Sequence, residues 1–191
     1  GPDRASRGTS RSESVMTARL DYAHVLPEAT RALSQLEAVV GASTLEPALL
    51  ELVRLRASQI NGCAFCVDMH TKDAEARGET EQRLHLVAVW REAREFFSAR
   101  ECAALGWSEA LTRLPESGAP DADFAEVARL FDAREQVALS LAIVAINGWN
   151  RLSVGFRRPA GAYVSKIKPS AKPSSVEHEA SSPVPIEAGR R

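Results

Sequence analysis

The sequence has no uninterrupted apolar run near the roughly 18 residues that a membrane crossing needs. Strand signals are nearly absent too. The polar, Arg-rich start GPDRASRGTSRSES lacks the apolar stretch and cleavage site of a secretory signal. Cysteine is scarce: three in 191 residues, an odd number in a chain too long for a small disulfide scaffold. These absences argue against membrane and secreted classes and point to a cytoplasmic, all-α protein. The length suffices for one domain with a real core.

Net charge is also nearly absent, at −1, but it is unevenly spread. Residues 157–191 carry +4 and residues 1–15 carry +1, which leaves −6 on 16–156. An acidic body argues against binding a phosphate backbone. The basic tail reads as solvated chain.

What is present is helix. Pro27 suits a first helical position, and Leu33, Leu36, Val39 and Val40 share a face up to Gly41. Thr44 is placed to cap PALLELVRLRASQI, which breaks at Asn61-Gly62. A third helix starts near Cys63 and ends near Gly78. A fourth follows Thr80 and carries Leu84, Val87 and Trp90. Ser98 with Glu101, and Asp132 with Glu135, have capping-box spacing. The first opens a helix closed by Pro115 and Gly118. The second opens an apolar helix expected in the core or a subunit interface. Residues 166–191 are rich in Pro and Ser and read as a disordered basic tail. Residues 1–16 read as a disordered or cloning-derived start, which leaves 17–165 as the domain.

The chemistry concentrates in NGCAFCVDMH. Cys63, Cys66 and His70 fall on one face if the segment is helical. The sulfurs are then close enough to bond, and Cys63 lies where unpaired N–H groups and the helix dipole favour a thiolate. Such a pair serves redox chemistry: one sulfur attacks, the other resolves, and an external reductant reopens the disulfide. A zinc site is the weaker reading. It wants four ligands, or three and a water, and His24, His85, His178 and Cys102 form no second cluster. Inert packing is the remaining alternative. Glu51, on the preceding helix, sits among Leu49, Leu50, Leu52, Val53 and Leu55 and needs a partner there. Spacing offers two equally: Arg54 on its own helix, or His70 across the Asn61-Gly62 turn. With His70, the chain Glu51–His70–Cys66 would deprotonate the attacking thiol.

Glu51, eleven residues, then Cys63-x-x-Cys66-x-x-x-His70 resembles the alkylhydroperoxidase AhpD-like group of the carboxymuconolactone decarboxylase family. The segments LRASQINGCAFCVDMHTKDAEARGETEQRLHLVAVWREAREFFSARECAALGWSEALT and LSLAIVAINGWNRLSVGF carry the likeness further, over roughly 17–165. The resemblance implies an all-helical fold, the Cys pair at the start of a buried helix, and homo-trimers or homo-hexamers joined through helical faces. It implies an enzyme, a thiol-dependent hydroperoxide reductase in antioxidant defence. Cys66 would react with peroxide, Cys63 would form the disulfide and face the reductant, and Glu51 with His70 would relay protons. The implied reductant is a dithiol or lipoyl-bearing protein. No cofactor, metal, nucleic acid or membrane is expected. One departure is Phe65, where the family's peroxidases have a second histidine. A protein-disulfide reductase, a redox sensor and a non-catalytic helical oligomer remain as alternatives.

Overall fold

The computed structural model describes residues 17–169. It contains α1 Tyr22–Val25, α2 Pro27–Gly41, α3 Pro47–Ile60, α4 Ala64–Ala76, α5 Glu81–Leu86, α6 Ala99–Thr112, α7 Leu114–Ser117, α8 Asp121–Leu130 and α9 Ala133–Gly155. Two 3-10 turns, Val87–Glu92 and Arg94–Phe96, join α5 to α6. Among the described residues there is no strand. The all-α expectation holds.

The starts of the helices follow their residue types. Pro27 and Pro47 occupy the first positions of α2 and α3, where a missing N–H costs nothing. Both capping boxes form: Ser98 with Glu101 at α6, and Asp132 with Glu135 at α9. Thr44 does not cap α3. Glu46 holds the N-cap position without a side-chain capping bond, its carboxylate accepting from Arg100 instead, and the Thr44 hydroxyl donates to Glu135 Oε1 at 3.3 Å. The fourth helix is also shorter than its pattern implies. It ends at Leu86, and Val89 leaves helical geometry with φ −125° and ψ 25°. Leu84, Val87 and Trp90 still all face the core, because their spacing of three suits a 3-10 turn as well as an α-helix. Pro115 falls inside the separate turn α7, and Gly118, with φ +64°, closes it.

α3 is the axis of the fold. It packs against α4, α6 and α9, so its residues 49–55 are all buried. Leu50, Val53, Trp107, Leu139 and Ile143 fill one part of the core. Leu52, Leu55, Leu84, Trp90 and Leu105 fill a second. A third part, of Ala57, Cys63, Phe65, Cys66 and Ile146, joins α4 to α9. α9 is long and apolar enough to cross a membrane by length and composition, although polar residues interrupt its apolar run. Here it is a core helix, with Leu139, Ala142, Ile143, Ala145 and Ile146 fully enclosed.

After α9 the chain runs back over α4. Gly161 N–H donates to Asp68, and Lys72 donates to the Tyr163 carbonyl at 3.0 Å. The Tyr163 hydroxyl and the Ser165 hydroxyl donate to Asp73. Residues 166–169 continue without helix, and the Ile167 N–H donates to Ser165 Oγ. The disorder expected of 1–16 and of most of the tail falls outside the described residues.

Candidate active site

The turn between α3 and α4 places the cysteines. Asn61 ends α3, and Gly62 adopts φ +64°, a left-handed conformation that favours glycine. Asn61 is more than a turn residue: its amide donates to Asn147 Oδ1 at 3.0 Å and to Asn150 Oδ1 at 2.8 Å. Asn150 in turn donates to Ser58 Oγ, which donates to the Arg54 carbonyl. A buried amide ladder from α9 therefore holds the turn. Its signal was two amides three apart in an otherwise apolar helix, in INGWN.

Cys63 follows as the N-cap of α4, and its sulfur accepts the Cys66 N–H at 3.3 Å. The two cysteines form a disulfide, with Cα atoms 5.3 Å apart. Each is 1% exposed. The resemblance implies that Cys63 faces the reductant; in this oxidised form it lies inside, and Cys66 is the cysteine that lines a cavity.

His70 lies one turn beyond Cys66 on α4 and is 6% exposed. Its Nδ1 is 2.8 Å from Glu51 Oε2, and its Nε2 is buried without a partner. Glu51 satisfies both of the partners that spacing offered. Oε2 meets His70, while Oε1 accepts from Arg54 at 3.2 Å and lies 3.5 Å from Arg77 Nε. Arg54 is held from its other side by Glu37 on α2. Burial pushes the Glu51 carboxyl up. The His70 bond and the charges of His70, Arg54 and Arg77 outweigh that and hold it below the ordinary glutamate value. An ionised Glu51 makes Nδ1 the donor in this bond, so that in the neutral tautomer the lone pair lies on Nε2.

The cavity has a volume of about 560 Å³ and is lined by Cys66, His70, Phe65, Met69, Trp149 and Arg158, among others. Phe65, the departure from the family's histidine, forms a wall. The Tyr163 ring meets it edge-on with centroids 6.4 Å apart, and the Arg158 guanidinium lies 3.8 Å from its centroid. Pattern reading missed Glu37 on α2 and Arg158 after α9, which reach the site from separate segments, and also Asp73 and Arg77, which extend the Cys66–His70 face of α4.

Glu51, His70 and Asp73 bring three potential metal-ligating atoms within 4.8 Å of one another. The donor set does not suit a cation. Glu51 already faces two guanidinium groups, and the Asp73 oxygens accept from Tyr163 and Ser165. Cys102 is buried in α6 outside any disulfide, its thiol donates to the Phe97 carbonyl at 3.8 Å, and burial pushes that thiol up, which makes it a poor nucleophile.

The model of the carboxymuconolactone decarboxylase family matches residues 27–110. The uncharacterised protein YdfG of Bacillus subtilis (strain 168) is 39% identical over 147 residues, 77% of this chain and 99% of its own. A protein of unknown function from Agrobacterium tumefaciens, provisionally named for AhpD antioxidant defence, is 45% identical. Its structure superposes with a TM-score of 0.73 over 77% of this chain and 100% of its own. The debrominase Bmp8 aligns over 73% of this chain and 74% of its own at a TM-score of 0.66. Its identity of 18% limits that likeness to the fold. The chain belongs to the carboxymuconolactone decarboxylase family and has the AhpD-like fold.

Proposed function

We propose that this protein is a thiol-dependent alkyl hydroperoxide reductase. The observation that carries the reading is the free Nε2 of His70, buried beside a cavity that Cys66 also lines, with Nδ1 bonded to Glu51. With the pair reduced, His70 Nε2 takes the Cys66 proton. The thiolate attacks one peroxide oxygen, the O–O bond breaks, and the proton passes to the leaving alkoxide. Cys66 is then a sulfenic acid and the products include an alcohol. The Cys63 sulfur displaces water from Cys66 and closes the disulfide. A dithiol reductant, of lipoyl type, reopens it by exchange. One hydroperoxide and one dithiol thus yield an alcohol, water and a disulfide.

A pair that must return to the dithiol fits a reducing, cytoplasmic setting. A homo-trimer or homo-hexamer also belongs to this reading. Val137 and Val144, one heptad apart on α9 and each more than half exposed, supply apolar surface for it.

Hydroperoxide consumption with a dithiol reductant tests the reading. Wild type should turn over, Cys66→Ser should be inactive, and Cys63→Ser should manage at most one turnover. If all three consume no peroxide while the wild-type pair still cycles, the protein is a disulfide reductase or sensor. The 1% exposure of both cysteines weighs against a bulky protein disulfide as substrate.

A further inference from the structure

The cavity is too large for the smallest peroxide. At about 560 Å³ it falls in the range of about 300–1,000 Å³ typical of organic ligands, whereas a water occupies only about 30 Å³. Phe65, Met69 and Trp149 give it apolar walls.

Its charges are unequally matched. Arg54 is paired with Glu37 and Glu51, and Arg77 lies against Glu51. The third carboxylate, Asp73, is turned toward Tyr163 and Ser165. That leaves Arg158. Among the described residues it forms no ion pair. Its guanidinium is stacked on Phe65 and donates through Nη1 to the Tyr22 hydroxyl at 3.2 Å. Those two contacts fix the plane of the group and leave other N–H donors unused. Cys66 and His70 are buried lining residues of the cavity, and Arg158 is an exposed one.

We infer that the preferred oxidant is an amphiphilic hydroperoxide with an anionic head group, a carboxylate held by Arg158 while the apolar body fills the cavity and the peroxide reaches Cys66. This deepens the peroxidase reading and rests on it. A guanidinium binds carboxylate through paired N–H donors. Exposure at the rim moderates the gain, so the effect is about fivefold rather than a hundredfold.

The test compares a medium-chain hydroperoxy fatty acid with its methyl ester, at monomeric concentrations and with an excess of a neutral dithiol. Wild type should show a kcat/KM ratio of acid to ester of about five, declining with added salt. Arg158→Gln should bring the ratio to about one, and Arg158→Lys should retain part of it. Equal turnover of acid and ester by wild type overturns the inference and leaves the peroxidase reading intact. If neither is reduced, the peroxidase reading fails. Binding is then judged on oxidised wild type by the change in tryptophan fluorescence, to which the cavity-lining Trp149 contributes, where octanoate should bind more tightly than octanamide, and equal binding sinks the anion site. These wild-type comparisons do not depend on a variant folding. A charge preference seen only between dihydrolipoate and dihydrolipoamide would assign the site to the reductant and overturn the inference.

Discussion

At the scale of the residue, Glu51 connects structure and chemistry. One oxygen orients His70, and the other faces Arg54 and Arg77. Glu51→Gln keeps the shape and removes the charge. It leaves two guanidinium groups undercompensated beside a side chain that is 3% exposed, which should cost about 3 kcal/mol of stability, as for other broken buried pairs. Urea denaturation measures that loss. Peroxide turnover should fall further than Glu51→Asp, which keeps the charge.

The same carboxylate sets an acid limit. Its folded pKa lies below the ordinary glutamate value of 4.5, as does that of Glu109, where burial is outweighed by Arg56, Trp90 and Arg91. The folded state therefore binds protons less readily than the unfolded state. The stabilisation is complete above about pH 5 and is lost as pH falls through the folded pKa values. Thermal melts from pH 6 downward should stay level to about pH 5 and then drop. Removing Glu109 together with Glu51 should flatten that drop.

The motif was legible in sequence because its members obey helical arithmetic. Cys63, Cys66 and His70 share one helix, and the Asn61-Gly62 break folds the Glu51 helix back across it. Spacing could not choose between Arg54 and His70 for Glu51, and the carboxylate in fact serves both. Asp73 and Arg77 continue the same α4 face, three and seven residues beyond His70, and helical spacing could have found them; Arg158 was not legible, because packing rather than periodicity brings it to the cavity.

At the scale of the element, the α3–α4 turn depends on α9. Asn150 is 1% exposed and links Asn61 to Ser58. Asn150→Ala removes one bond each from buried Ser58 and half-buried Asn61 and should destabilise the protein by about 1–3 kcal/mol. It should also slow peroxide turnover by loosening the seat of Cys63. Asn150→Asp is a sharper control, since it places an unpaired charge there. The helix starts give a smaller effect: Ser98→Ala removes the cap of α6 and should cost about 1 kcal/mol. Capping boxes were readable because a few adjacent residues make them. The Thr44 cap failed as an expectation because its hydroxyl found Glu135, 91 positions away.

At the scale of the whole molecule, the segment after α9 couples the end of the domain to its cavity. Tyr163 is pushed up to about 12 by burial and by the neighbouring carboxylate Asp73, and its hydroxyl stays protonated as a donor. Tyr163→Phe removes that bond to Asp73 but keeps the ring against Phe65. It should speed proteolysis of the segment while sparing the melting temperature of the bundle, as limited digestion would show. The central place of α9 was readable from its apolar circumference. The return of 157–165 over α4 was not, since that stretch carries no period.

Phe65 has a consequence for what the fold can evolve toward. Position 65, directly before Cys66, is a single seat. A second imidazole there would extend the proton chain, but it would remove the phenyl platform under Arg158 and the wall met by Tyr163. On the proposed peroxidase reading, speed with small oxidants and choosiness among large ones would compete for one side chain, and a lineage that gains one at this seat would give up the other.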